Sequence, residues 1–247
     1  MTRITSVAAI VIASGLVAAV AACGGGSSTA SSLPQGSEQV SLDPADFTTE
    51  IDNRYWPMAP GNRWVFRETN AEGAHRRVVV TVTDQTKTIM GIDAVVVHDT
   101  VTEQGVLVED TYDWYAQDAD GNIWYLGEDT KEYANGKVAT TAGSWQAGVD
   151  GAQPGIVVAA NPEPGMSYRE EYYAGQAEDA ARVLAIDEKV EVPYGFYQGV
   201  LLTQNVTALD PKVAEHKFYV KGIGPVREIS VSGGSDETEL VHFTRAS

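Results

Sequence analysis

Cysteine is almost absent: Cys23 is the only one in 247 residues. No disulfide can staple the chain, so a hydrophobic core must supply its stability. Basic residues are scarce too, 17 Lys and Arg against 34 Asp and Glu, for a formal net charge of −17. So acidic a chain repels nucleic acid and anionic headgroups, and it leaves basic or cationic partners open. G-x-S-x-G, H-E-x-x-H and P-loop patterns are missing, which removes the common hydrolase, metalloprotease and nucleotide-binding signatures. The four histidines, His75, His98, His216 and His242, are far apart in sequence and offer little for a metal centre. After residue 22 no stretch approaches the roughly 20 apolar residues that a membrane helix needs.

What is present begins with an export signal. Residues 1–22 carry a single charged side chain, Arg3, and run apolar or small from Val7 to Ala22. Val20-Ala21-Ala22-Cys23 follows and resembles the lipobox of bacterial lipoproteins. The resemblance implies a diacylglycerol on the Cys23 thiol and removal of residues 1–22 as a signal peptide. It also implies an extracytoplasmic protein, anchored to the outer leaflet of the cell membrane, or to the outer membrane where the host has one. Each buried acyl CH₂ contributes about 0.8 kcal/mol to such an anchor. Removing residues 1–22 takes away one arginine and no acid, leaving 16 basic against 34 acidic residues and a net charge of −18. Residues 23–42 are Gly- and Ser-rich and are expected to form a flexible tether. No second linker follows, so residues 43–247 are expected to make one domain.

The patterning of that domain is β almost throughout. Trp64 and Phe66 alternate in 62–69, Val78, Val80 and Val82 in 75–83, and Val95–Val97 lie in 93–103. Strands are expected over 107–117 and 122–126, then over 168–174, 181–192, 199–206, 215–221, 226–232 and 238–244. Gln104-Gly105, Asp118–Gly121 and Asn135-Gly136 read as hairpin turns. The segment 175–186 has a helical alternative, with a strand preferred from Arg182 onward. The expectation is an all-β fold of about a dozen short strands. Twist and the hazard of open edges favour a single antiparallel barrel or half-barrel, with a two-sheet sandwich as the alternative.

Three segments carry a second resemblance: Tyr55-Trp56-Pro57-Met58-Ala59-Pro60-Gly61-Asn62-Arg63-Trp64-Val65-Phe66, Val192-Pro193-Tyr194-Gly195-Phe196-Tyr197-Gln198-Gly199-Val200, and Phe218-Tyr219-Val220-Lys221-Gly222-Ile223-Gly224-Pro225-Val226-Arg227. They resemble motifs of a broad set of uncharacterised exported β-proteins, similar in architecture to the curved β-sheets of bacterial lipoprotein carriers. The resemblance implies architecture and no catalytic residues. Pro225 stands where that set has leucine and predicts an edge or a bulge. Trp56 and Trp64 are expected to close one end of the core.

Candidate sites are few. Asp118, Asp120 and Asn122 offer oxygen ligands for calcium, but Gly121 is fourth where an EF-hand needs a sixth-position glycine, so a hairpin turn is the better reading. The carboxylates Glu109, Asp110, Asp113, Glu128, Asp129, Glu170 and Glu171 read as a solvated acidic face. The aromatic run Tyr112, Trp114, Tyr115, Trp124 and Tyr125 is the densest feature. Alternation puts aromatics on both faces, so Trp114, Tyr115, Trp124 and Tyr125 are the tentative ligand-binding residues, with one tryptophan expected in the core and the other facing a cavity or solvent. The leading expectation is a membrane-anchored, non-enzymatic lipoprotein that binds an apolar or amphipathic ligand and needs no cofactor. An interaction module docking an envelope protein comes next, and a carboxylate-dependent hydrolase last.

Overall fold

The computed structural model describes residues 33–69, 73 and 75–246. The signal peptide, Cys23 and the first part of the tether lie outside the described residues. A short 3₁₀ turn at Pro44–Asp46 precedes strands β1 Phe47–Thr48, β2 Arg63–Thr69, β3 His75–Ile89, β4 Ile92–Glu103, β5 Val106–Asp118, β6 Ile123–Ala134, β7 Lys137–Thr140 and β8 Trp145–Gln146. They continue with β9 Gln153–Val158, β10 Ser167–Arg169, β11 Glu171–Tyr172, β12 Asp179–Val192, β13 Gly195–Thr207, β14 Ala214–Val220, β15 Gly224–Ser232 and β16 Glu237–Thr244. No α-helix occurs among the described residues.

Thirteen of these strands form one antiparallel sheet in the order β10-β12-β13-β14-β15-β16-β2-β3-β4-β5-β6-β9-β11. Its two ends, β10 and β11, are separated in sequence only by Glu170, so the sheet curls until its edges meet and makes a nearly closed barrel. Closure removes the open edges that a long twisted sheet would expose. The sandwich alternative does not occur. Arg169 clasps the seam: its fully buried guanidinium donates to the carbonyls of Pro154, Gly36 and Glu38 at 2.7–3.2 Å. Gly155 lets the strands approach there, since a Cβ would run into the Arg169 and Glu170 carbonyls.

Two expectations change. The strands are not short: β3 runs 15 residues and β12 runs 14. Past residue 83, where the expected strand ends, a bulge between Val82 and Thr86 carries the ladder on to Ile89, paired with Ile92 across a two-residue turn. The segment with a helical alternative is strand from Asp179, four-square against β13. The tether also ends earlier than expected. Residues 33–42 lie on the barrel, where Leu33, Val40 and Leu42 pack against the core and the Pro34 carbonyl accepts from Arg169 N at 2.8 Å.

One end of the barrel is plugged by the segment before β2. Tyr55 and Met58 are 1% exposed, Asn53 Nδ2 donates to the Gly121 carbonyl at 2.8 Å, and Gly222 N donates to the Arg54 carbonyl at 2.8 Å. The plug therefore spans both the β5–β6 and the β14–β15 turns. Trp64 Nε1 donates to the Ile223 carbonyl at 2.8 Å. Gly224 is required by close approach: a Cβ there would lie 2.6 Å from Trp56 Cδ1. Pro225 sits beside the expected bulge, with Phe218 opposite Arg227 and Tyr219 opposite Pro225. Both tryptophans do close this end.

Candidate functional site

Above the plug the barrel is not filled. Alternation sends one face of each wall strand inward, and two lobes open between those faces. The first, about 310 Å³, is lined by Val78, Val80, Val97 and Val101 interleaved with Glu68, Asp99, Glu109 and Asp113: Val80 pairs with Asp99, Val97 with Asp113 and Val101 with Glu109 across the ladders. The second, about 250 Å³, is bordered by Glu170, Glu171 and Asp179 with Lys217 among them. Trp56, Tyr115, Pro225 and Glu228 border both lobes, which makes them parts of one chamber. A larger cavity of about 670 Å³ lies along the outer seam and is lined by Arg169 and Tyr172. Arg169 is committed there to backbone carbonyls, so that groove holds the closure together.

The chamber is acidic at unusual depth. Burial, then the Asp113, Glu109 and Glu68 charges, hold the Asp99 carboxyl well above the usual range. Burial raises Asp113 to about 6 against a hydrogen bond from Tyr125 Oη at 2.7 Å. Glu128 pairs with Asp113 across the β5–β6 ladder and is raised to about 8 by burial and by the Asp113 and Glu109 charges. In the second lobe burial raises Glu170 to about 7, opposed by Lys217 and by an Asn205 Nδ2 hydrogen bond at 2.6 Å. Burial alone lowers the Lys217 ammonium, but Glu228, Glu170 and Glu215 outweigh it and keep the lysine charged. Lys217 Nζ is 3.8 Å from Glu228 Oε2.

The acidic face expected at the surface is therefore partly inside. Glu109, Asp113, Glu128, Glu170 and Glu171 turn inward or bury, whereas Asp110 lies on the outer face with His98, 2.6 Å away. One signal was available: Glu109, Asp113 and Tyr115 share a parity on β5, so a face carrying the aromatic also carried the acids. Asp99 and Lys217 were missed, because nothing local shows which face of β4 and β14 turns inward.

The aromatic candidates separate by parity. Tyr115 and Tyr125 point inward and stack at 4.9 Å between centroids, with Trp56 at 5.5 Å from Tyr115 and Trp145 edge-on to Tyr125. Trp114 and Trp124 point outward and do not differ as expected, being 6% and 7% exposed. Phe47 of β1 covers Trp124 edge-on at 6.1 Å, and the Lys87 ammonium lies 3.1 Å from the Trp114 ring centroid. The N-terminal segment and the β3 extension thus cover the outer aromatic face, and Trp124 borders a cavity of about 310 Å³ with Leu33, Val40, Asp118 and Asn122.

The calcium candidate is a turn. Asp118 Oδ1 accepts from Asn122 N at 2.8 Å, and Oδ2 accepts from Asn122 Nδ2 at 2.8 Å and Trp124 Nε1 at 2.7 Å. Its carboxylate is occupied by donors of its own hairpin, and Asp120 is exposed beyond it.

No known protein family matches the chain. No curated protein matches it. Among solved structures, the chain is similar to a protein described as exported, of YmcC-like fold, from Bacteroides fragilis, at 15% identity and a TM-score of 0.47 over 77% of this chain and 99% of that one. It is also similar to a protein described as a lipoprotein from Parabacteroides distasonis, at 12% identity and a TM-score of 0.43 over 78% of this chain and 99% of that one. Scores this low carry no argument about activity.

Proposed function

We propose that this protein is a non-enzymatic binding protein of the bacterial cell envelope, held to the membrane through a lipid on Cys23, whose barrel chamber takes an amphipathic ligand. The observation that carries the reading is the chamber itself: valines and acids interleave along one wall, with Trp56 and Tyr115 also on its border, a mix of apolar lining and convergent polar groups that suits small-molecule sites. Docking of an envelope protein has less support. The outer tryptophans are covered, and the exposed apolar side chains Val106, Val138, Val149 and Phe196 are spread over β5, β7, the segment after β8 and β13.

Native mass spectrometry of the protein extracted from its own membranes tests the binding reading. A bound small molecule is expected, and Val80→Trp, which fills the first lobe, is expected to abolish it. The same molecule retained by Val80→Trp would remove the chamber from consideration. For the anchor, Cys23→Ser is expected to shift the protein from the detergent to the aqueous phase in Triton partitioning. Wild type found in the aqueous phase would refute the lipid.

A second reading has one observation in its favour. Asp113 and Glu128 are ladder partners raised to about 6 and about 8, and raised carboxyls can serve as general acids. Hydrolysis of 4-nitrophenyl glycosides that disappears in Glu128→Gln would establish it, and no hydrolysis by wild type would dismiss it.

A further inference from the structure

We infer that the first lobe selects a cationic amphiphile, an alkyl body carrying an ammonium group, with Asp99 as the counter-ion of that group. The inference rests on the chamber being a ligand site and adds the charge of the ligand.

The argument starts from an imbalance. Glu68, Asp99, Glu109 and Asp113 border this lobe, with Glu228 on the shared wall. The nearby cations are already committed. Arg76 sits at the rim between Glu68 at 3.1 Å and Glu103 at 3.0 Å. The Arg227 guanidinium binds Glu237 at 2.5 Å. Asp113 accepts from Tyr125, and Glu109 accepts from Thr111 Oγ1 at 3.2 Å. Asp99 stands apart. Its Oδ1 is sealed from solvent and has no hydrogen-bond partner, although the residue borders an open lobe. A buried polar atom without a partner costs on the order of 1–3 kcal/mol, more when charged. Three of the five such side-chain atoms among the described residues, Asp99 Oδ1, Trp56 Nε1 and Glu171 Oε2, belong to residues bordering the chamber, which marks it as a place where something binds.

The second lobe shows what relieves the same situation. Lys217 stands buried among Glu170, Glu215 and Glu228 and supplies one positive charge from within. No side chain does this beside Asp99, so a ligand ammonium would take the corresponding place. A metal ion fits poorly, because among the described residues no group of three or more His, Cys, Asp or Glu is close enough to hold one. An organic cation has no such coordination demand. Trp56 and Tyr115 border the lobe, and aromatic rings attract a cation, while the four valines between the acids suit an alkyl chain. A volume of about 310 Å³ accommodates about ten non-hydrogen atoms at roughly 30 Å³ each, water's share of liquid volume.

The test uses the protein carrying Cys23→Ser, which needs no detergent, and three probes with one tail: decylammonium, decyl glucoside and decanoate. Titration calorimetry at pH 7.5, below the micelle concentration of each, is expected to show decylammonium binding at least tenfold tighter than decyl glucoside, with decanoate not binding. Asp99→Asn is expected to weaken decylammonium at least tenfold and to leave decyl glucoside within twofold. Glu109→Gln serves as a second variant with a smaller effect of the same sign. Because the ammonium requires an ionised carboxylate, decylammonium affinity is expected to rise between pH 5.5 and 8, whereas decyl glucoside stays flat. The titrating groups facing Asp99 are Glu68 of β2 and Glu109 and Asp113 of β5. Equal affinity for decylammonium and decyl glucoside, or no loss in either variant, would overturn the charge selection and leave lumen binding intact. No binding of any probe would overturn both.

Discussion

The two lobes of the chamber are built from one barrel and are both acidic, yet they handle buried charge in opposite ways. Around Lys217 the carboxylates Glu170, Glu215 and Glu228 have a cation of their own chain. Around Asp99 only Glu68 has a cation, Arg76 at the rim, which it shares with Glu103, while Asp99, Glu109 and Asp113 have none within ion-pair distance. A lobe that neutralises itself is a structural solution. One that does not is either protonated or waiting for a cation, because low dielectric penalises unpaired charge.

The largest effect that would sharpen this contrast is Lys217→Met. Removing the internal cation leaves buried Glu170 and the half-buried Glu215 and Glu228 without it, and leaving such a group unpartnered costs about 1–3 kcal/mol. In a domain of this size that is roughly a 6 °C fall in melting temperature. A thermal melt showing less than a few degrees would erase the difference between the lobes.

The pH dependence comes next. Asp113, Glu170 and Glu128 are raised to about 6, about 7 and about 8, so the folded protein holds these protons more tightly than the unfolded chain. The stability they contribute is complete below the ordinary carboxylate range and is lost as pH rises through their folded values. The ligand-free protein is expected to melt about 5 °C lower at pH 8.5 than at pH 5. A melting temperature that rises over this window would mean the chamber acids are ionised and paired.

Asp99→Asn should do the reverse of Lys217→Met. It removes a carboxyl that burial disfavours and keeps its shape, so the empty protein is expected to gain about 1 kcal/mol at pH 8 and almost nothing at pH 5. Chemical denaturation at the two pH values measures both. A loss at pH 8 would show that Asp99 has a partner in solution.

The smallest expected effect is that of calcium. Asp118 is saturated by donors of its own turn, and tight binding would have to stabilise by mass action. Millimolar calcium is therefore expected to leave the melting temperature unchanged. A chelator-reversible rise of several degrees would place an ion where neither lobe nor turn provides for it.

The architecture was largely legible before any coordinates. Period-two alternation located β2, β4 and β12–β16 within a few residues, and Asn135-Gly136 marked its hairpin, with φ values of 55° and 72°. Trp56, Trp64 and Pro225 took the places their chemistry suggested. The site was much less legible. Glu109, Asp113 and Glu128 looked like surface acids, because composition alone says that carboxylates seek water. Trp114 and Trp124 looked like the binding face, because nothing local shows that Phe47 and Lys87 cover them.

The division has a physical cause. Alternation, turn chemistry and the scarcity of cysteine depend on residues near one another in the chain, and they determined an all-β fold stabilised by its core. Which parity of each strand faces inward depends on how thirteen strands close, and closure is set where β10 and β11 meet at Glu170. Only that closure decided that Asp99 of β4 turns into an open lobe beside Glu109 and Asp113 of β5, while Lys217 of β14 reaches Glu228 of β15. Charge burial is a property of the assembled barrel, since a carboxylate's cost depends on the dielectric and the neighbours that tertiary structure brings to it.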